Sequence, residues 1–199
     1  MHEDENVRLV IFNSCARHIT EKSSYERGII AQSALDELSS QLNENTSDKI
    51  NIFLCHHHPI QHSDVSGGGS YDFILNGDKL ITYLADHGDW IIIHGHKHDG
   101  RIFYAGNGSI GSAPVVISAS SMGAIFSSDE LNRYRNQFYI IDVELPDSGC
   151  TLGTLKIWNW HCGQGWSKAI NAKAGLTDGV GFGERTHSDT LAKQIADRI

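Results

Sequence analysis

Two clusters of histidine dominate the chemistry that this sequence offers, and each follows a short apolar segment. The first cluster is residues 56–59 (HHHP), directly after residues 50–55 (INIFLC). The second is residues 94–98 (HGHKH), directly after residues 90–93 (WIII). Imidazole nitrogen is a common ligand of first-row transition metals, and a site needs several convergent donors. The two clusters together therefore predict a metal site.

The spacing within each cluster supports this interpretation. His96 and His98 are two residues apart, so an extended backbone would point their side chains the same way. Gly95 permits a tight backbone path, and Pro59 ends the first strand because it has no N–H to donate. A chance surface cluster is the competing interpretation. The isolated histidines are predicted to be surface or hydrogen-bonded core residues: His2, His18, His62, His87, His161 and His187.

Alternating strands and helices are expected to position the two clusters. Runs of β-branched and aromatic residues predict strands over residues 8–12, 50–55 and 90–93. Apolar residues at helical spacing predict helices over residues 30–42 and 78–87, with Gly88 at the end of the second. Because α/β sheets present ligands to a crevice at the carboxyl ends of their strands, both clusters are expected to face such a crevice.

The second half of the chain has a different pattern. Strand-like runs separated by turn residues predict an antiparallel segment with strands over residues 102–104, 114–117, 138–143 and 155–160. The Gly-rich residues 171–185 are predicted to be a linker, and residues 188–199 a short helix. The sequence thus predicts an α/β (α+β) domain over residues 1–170, followed by a linker and helix over residues 171–199.

Composition excludes several classes of protein. With 199 residues, 40% hydrophobic and 20% charged, the chain fits one ordinary domain and is unlike disordered or membrane proteins. Its net charge of -8 argues against binding nucleic acid by neutralising phosphates. Residues 1–5 show no signal-peptide pattern, so a cytoplasmic location is expected. Four cysteines form no CxxC pair and are predicted to be reduced thiols: Cys15, Cys55, Cys150 and Cys162.

The segments around the histidine clusters resemble the calcineurin-like metallophosphoesterases. Residues 53–59 (FLCHHHP) are similar to that family's strand ending in His-x-Pro, and residues 92–98 (IIHGHKH) to its closing Gly-His-x-His motif. Residues 10–14 (VIFNS) and the helix at residues 35–42 are similar to what precedes those motifs. The resemblance covers residues 7–160, and it implies a metallophosphoesterase-type β-sandwich flanked by helices.

The resemblance also implies a function. It implies a hydrolase in which two divalent metal ions (Mn, Fe or Zn) bind a phosphate monoester or diester and a metal-bound hydroxide attacks phosphorus. It assigns His57 and His96 to one metal and His98 to the other, and it assigns no further catalytic residue. The offset from the proline selects His57, with His56 or His58 as possible replacements. Those two side chains are expected on the opposite face of the strand.

The motifs that this family carries upstream are absent. Residues 1–55 contain no Asp-x-His, Gly-Asp or Gly-Asn-His sequence, and Asn13-Ser14-Cys15 does not replace the last of these. The chain therefore resembles the carboxyl-terminal half of such an enzyme, predicted to be inactive alone and completed by a missing amino-terminal half or a partner subunit. The alternative is a non-catalytic module of the same fold that acts in protein interaction and binds at most one metal. A plain metal-storage protein ranks last.

Overall fold

The computed structural model describes residues 1–15, 27–43, 49–61, 73–106, 113–144, 151–170 and 172–183. In these residues two β-sheets face one another and two α-helices cover the outer face of the larger sheet. The mixed, mostly sheet architecture confirms the α+β prediction at that level. The assignment to a metallophosphoesterase-type sandwich stays a prediction.

The larger sheet has six strands in the order β1-β2-β3-β4-β6-β5. Its strands are β1 (His2–Glu3), β2 (Val7–Ile11), β3 (Ile50–Leu54), β4 (Trp90–His94), β5 (Arg101–Tyr104) and β6 (Val115–Ser118). The central strands β2, β3, β4 and β6 run parallel, and the two edge strands are antiparallel to their neighbours. The carboxyl ends of β2, β3 and β4 therefore lie side by side at one edge of the sheet.

Two helices pack on one face of this sheet. Helix α1 (Gln32–Asn43) and helix α2 (Gly77–Asp86) lie close to their predicted positions, and Gly88 follows α2 with a φ of 110°. Their buried leucines pack against Phe53, Ile92 and Val116 of the sheet. The apolar stripe at helical spacing thus finds the apolar face of the strands, as the pattern predicts. Among the described residues, no helix combines the length and the apolar character needed to cross a membrane.

The smaller sheet packs on the other face of the larger one. It consists of β7 (Gln137–Glu144), β8 (Leu152–His161), β9 (Gly165–Lys168) and β10 (Val180–Phe182). The long strand β8 pairs antiparallel with each of the other three. Leu155 and Ile157 of β8 are fully buried in a second core that includes Ile91, Val115 and Ile117 of the larger sheet. The predicted antiparallel pairing is therefore correct for β5 with β6 and for β7 with β8. The four strands do not form one segment, however, because β6 also pairs in parallel with β4 and so belongs with β5 to the larger sheet.

The Gly-rich segment predicted as a linker is in part a strand. β10 pairs with β8 in the register Phe182↔Gly153, and Phe182 is only 5% exposed. Gly179 and Gly183, with φ of 86° and 88°, flank the strand in a backbone region that glycine adopts without strain. The prediction failed because these glycines shape turns rather than confer flexibility. The helix predicted over residues 188–199 lies outside the described residues.

The smaller sheet covers the larger one unevenly. The N–H of Gly183 donates to Tyr104 Oη at 2.8 Å, which places β10 beside the edge strand β5, while β7 is the opposite edge of the smaller sheet. On the β2–β3 side, Ile11 is 71% exposed and Leu9 and Ile52 are only half-buried. Within the described part of the chain, the smaller sheet thus leaves an apolar strip on β2 and β3 incompletely covered.

Candidate metal centre

The two histidine clusters come together at the carboxyl ends of β3 and β4. Hydrogen bonds continue the pairing of these strands beyond their ends: Cys55 N–H donates to Ile93 O at 3.1 Å, and Gly95 N–H to His56 O at 3.1 Å. The rings of His56, His57 and His96 consequently lie with each pair of centroids 4.8 Å apart. The two clusters therefore lie together where β3 and β4 end, and their position at a crevice stays a prediction.

His57 is the most tightly held member of the group. It is fully buried, its Nδ1 lies 2.9 Å from Ser14 Oγ, and its backbone N–H donates to the same oxygen at 3.2 Å. On the other side, a Cβ on Gly28 would lie 2.8 Å from His57 Cβ, so only glycine lets the two backbones approach this closely. Ser14 and Gly28 therefore set the position of the His57 ring.

Cys15 brings a thiol to the same place. The N–H of Cys15 donates to Asn13 Oδ1 at 2.9 Å in the turn that follows β2, and Cys15 Sγ lies 3.8 Å from His57 Nδ1. Cys15, His56 and His57 offer ligand atoms that all lie within 4.8 Å of one another. This cluster could hold a metal ion, so the predicted metal-binding character is confirmed at that level. The identity and number of the metal ions stay predictions.

His56 and His96 form the more accessible side of the site. His96 Nδ1 lies 2.9 Å from His56 Nε2, and His56 is exposed. The expectation that His56 lies on the opposite face from His57 is wrong, because the strand ends at Leu54 and its alternation does not continue into residues 56–58. His58 lies outside the group formed by Cys15, His56 and His57. It is 5% exposed, and its ring lies 4.4 Å from that of His94.

His98 occupies a different position from the one expected of an extended segment. Both His96 and His98 have positive φ, 74° and 57°, so the alternation of an extended strand does not apply to them. The ring of the exposed His98 lies 6.3 Å from that of Phe126, and its carbonyl oxygen accepts a hydrogen bond from Ser120 Oγ at 3.2 Å. The structure thus brings together His57 and His96, and the assignment of His98 as a ligand stays a prediction.

Cys55 supports the loop as a neutral thiol. Burial, and to a lesser extent the nearby Cys15, raises the pKa of Cys55 to about 12. Its S–H donates to His57 O at 3.2 Å. At neutral pH this thiol therefore stays protonated and holds the backbone of the first histidine cluster. Cys15, Cys55 and Cys162 are free cysteines, as predicted, and Cys150 lies outside the described residues.

Three residues of this site, Ser14, Cys15 and Gly28, were not identified from sequence. A signal for the first two existed, because Asn13-Ser14-Cys15 follows a predicted strand just as the histidine clusters do. The parallel pairing of β2 with β3 is what brings them beside His57. Gly28 carries no such signal, since it reaches the site through an isolated bridge to Ile74.

No known protein family has a model that matches the chain, and no curated protein matches it. The fold and the site by themselves define an α+β chain with a cluster of histidine and cysteine side chains at the carboxyl ends of three parallel strands.

Replacing Gly28 with alanine is expected to weaken divalent-metal binding by about 10- to 100-fold, the usual cost of disturbing a group that orients a metal ligand. The added methyl would lie 2.8–2.9 Å from His57 Cβ and Cγ, so the ring must move. Isothermal titration of the purified chain with Zn²⁺ measures the change. Gly95→Ala is the matched control, because a Cβ there meets no atom within 4 Å although His94 and His96 flank it. Equal affinities for the two variants would contradict the positioning role of Gly28.

Proposed function

We propose that this chain carries part of the active site of a metal-dependent phosphoesterase. The observation that supports the proposal most is the convergence of His56, His57 and His96 where the parallel strands β3 and β4 end. The sequence resemblance to calcineurin-like metallophosphoesterases rests on the same residues. The proposed substrate is a phosphate monoester or diester, and the proposed metals are two divalent ions (Mn, Fe or Zn) in the completed site.

Each side chain has a stated role in this proposal. A bound divalent metal supplies Lewis-acid activation of water and of the phosphoryl group. His57 and His96 bind the metal, with His98 as the expected ligand of a second ion. Ser14 holds the His57 ring through its 2.9 Å contact with Nδ1. The exposed His56 lies on the solvent side of the cluster, where it can bind a phosphoryl oxygen or a metal.

The proposed site is incomplete within this part of the chain. The described metal-capable cluster consists of one thiol and two imidazoles and contains no carboxylate. A pair of divalent ions held close together needs anionic ligands to offset their mutual repulsion. The incompletely covered strip on β2 and β3 supports a completing segment, because strands added beyond β7 would cover it. We therefore propose that another segment or a partner subunit supplies the missing carboxylates.

A second candidate function is a non-catalytic module that acts in protein interaction and binds at most one metal. The absence of carboxylates from the described cluster favours it, since one ion suits a set of neutral imidazoles and a thiol.

In either case the free Cys15 and Cys55 fit a reducing compartment, so we propose a cytoplasmic location.

The test is to load the purified chain with Mn²⁺, count the bound metal, and measure two properties. The first is broadening of the ³¹P resonance of inorganic phosphate by the paramagnetic ion, and the second is hydrolysis of bis-p-nitrophenyl phosphate. We expect phosphate to bind only to the metal-loaded chain and hydrolysis to be absent. The concentration of unbound Mn²⁺ in the sample is measured, because unbound Mn²⁺ also broadens the ³¹P resonance. If the chain binds Mn²⁺ but the resonance is no broader than this unbound Mn²⁺ accounts for, the result favours the non-catalytic module. Two ions with chelator-sensitive turnover would contradict the incomplete site.

A further inference from the structure

We infer that Cys15 is a thiolate ligand and that Cys15, His56 and His57 form a site for one Zn²⁺ ion. This inference concerns the metal and its ligands and goes beyond the proposed function. It uses His57 in common with the proposed phosphoesterase centre. The zinc site can exist whether or not the chain hydrolyses a phosphate ester. An experiment can therefore contradict the zinc inference without contradicting the proposed function, and the reverse.

The distances within the cluster suit zinc without rearrangement of the backbone. Zinc binds thiolate sulfur at about 2.3 Å and imidazole nitrogen at about 2.0–2.1 Å in tetrahedral geometry, which separates a sulfur from a nitrogen ligand by about 3.6 Å. Cys15 Sγ lies 3.8 Å from His57 Nδ1. All three side chains offer ligand atoms within 4.8 Å of one another. Small side-chain rotations are therefore enough to bring the donors around one ion.

The elements behind the donors hold them in place. Cys15 is fixed by the Asn13 turn after β2, and Ser14 Oγ still accepts the backbone N–H of His57 when Nδ1 of that ring turns to a metal. The N–H of Phe12 donates to Leu54 O at 2.8 Å, which extends the β2–β3 pairing to the residues just before both loops. This preorganisation lowers the cost of assembling the site.

The chemistry of the donor set selects zinc over the harder cations. Thiolate and imidazole favour Zn²⁺, whereas Mn²⁺ and Mg²⁺ prefer carboxylate, carbonyl and water oxygen. The cluster offers sulfur and nitrogen and no carboxylate. On binding, a Zn–S bond forms as the Cys15 thiol releases its proton to solvent. The half-buried Cys15 and the exposed His56 leave the ion a path of entry.

The test replaces Zn²⁺ with Co²⁺ in the full chain, because cobalt reports its ligands in the absorption spectrum. We expect one Co²⁺ per chain, with the intense visible bands of a tetrahedral site and a sulfur-to-cobalt charge-transfer band in the near ultraviolet. Cys15→Ser should abolish the charge-transfer band and lower the Zn²⁺ affinity by about 100-fold or more, a larger cost than that of losing an orienting group. Cys162→Ser is the matched control, since Cys162 is exposed on the β8–β9 turn, and it should leave both unchanged.

Circular dichroism and a thermal melt establish that Cys15→Ser folds. If it does not, His56→Ala provides the same test, because His56 is exposed and its loss should reduce Zn²⁺ affinity while the sulfur-to-cobalt band persists at higher Co²⁺ concentration. A weak, octahedral cobalt spectrum without the charge-transfer band would overturn the inference. So would a band that survives in a folded Cys15→Ser variant, or a chain that prefers Mn²⁺ to Zn²⁺ in direct competition.

Discussion

Replacing His57 with alanine is expected to lower the affinity of the chain for a divalent metal by about 100-fold or more. Loss of a group that only orients a ligand costs about 10- to 100-fold in metal affinity, and loss of the ligand itself should cost more. His57 belongs to both metal arrangements that are proposed here for the described residues. It is a member of the Cys15–His56–His57 group, and its ring centroid lies 4.8 Å from that of His96. No neighbouring imidazole can take its place, because Ser14 and Gly28 shape the fully buried position around this one ring.

Competition with a chromophoric chelator measures this loss for Zn²⁺ and for Mn²⁺ separately. His87→Ala is the matched control. That residue lies at the end of α2, where its ring bonds to Tyr83 O at 2.7 Å, and its loss should leave metal affinity unchanged. If His57→Ala bound metal as tightly as the control, the site would lie elsewhere in the chain. The proposed phosphoesterase centre and the zinc site would then both be abandoned.

Replacing Gly77 with alanine is expected to destabilise the fold by about 3 kcal/mol, at the upper end of the usual cost of overpacking. The added methyl carbon would lie 1.7 Å from the carbonyl oxygen of Pro59 and 2.7 Å from its carbonyl carbon. Both atoms are backbone, so no side chain can rotate to relieve the overlap. Helix α2, which begins at Gly77, must therefore move away from the loop that carries the first histidine cluster.

Urea unfolding followed by circular dichroism gives the free energy of unfolding. Gly123→Ala serves as the control, since a Cβ there meets no atom within 4 Å, and it should change that free energy by less than about 0.5 kcal/mol. Because Pro59 directly follows the cluster, Gly77→Ala should also weaken Zn²⁺ binding at temperatures where it remains folded. An unchanged midpoint for Gly77→Ala would show that the contact between α2 and the Pro59 loop is looser than the structure describes.

The parts of the fold that sequence predicts well are those set by local pattern. β3 and β4 are runs of β-branched and apolar residues, and α2 has its apolar residues on one side, so each was placed within about one residue of its observed bounds. β10 was missed for the opposite reason. Its three residues have no strand-like pattern of their own, and they become a strand because β8 offers a pairing edge and Gly153 leaves space for Phe182.

The candidate site also has one part that the sequence predicts and another that it does not. That the two histidine clusters would meet follows from their positions after strands expected in one α/β sheet, whereas the choice of His57 and His96 is what the family resemblance implies. The structure brings the rings of these two residues together. Where His56 and His98 lie could not be predicted by continuing strand alternation past the strand ends. The backbone there is set by contacts such as Gly95 N–H to His56 O and Ser120 Oγ to His98 O, which join residues far apart in sequence.

The sequence by itself determined which chemical groups are available and which strands end beside them, because residue type and apolar periodicity are local properties. Only the tertiary structure decided that a thiol joins the imidazoles. Cys15 lies 42 positions from His57 in the chain, and the parallel pairing of β2 with β3 brings its sulfur to 3.8 Å from the ring. The ligand set of a metal site depends on such distances between side chains, and those distances arise only when the strands pair.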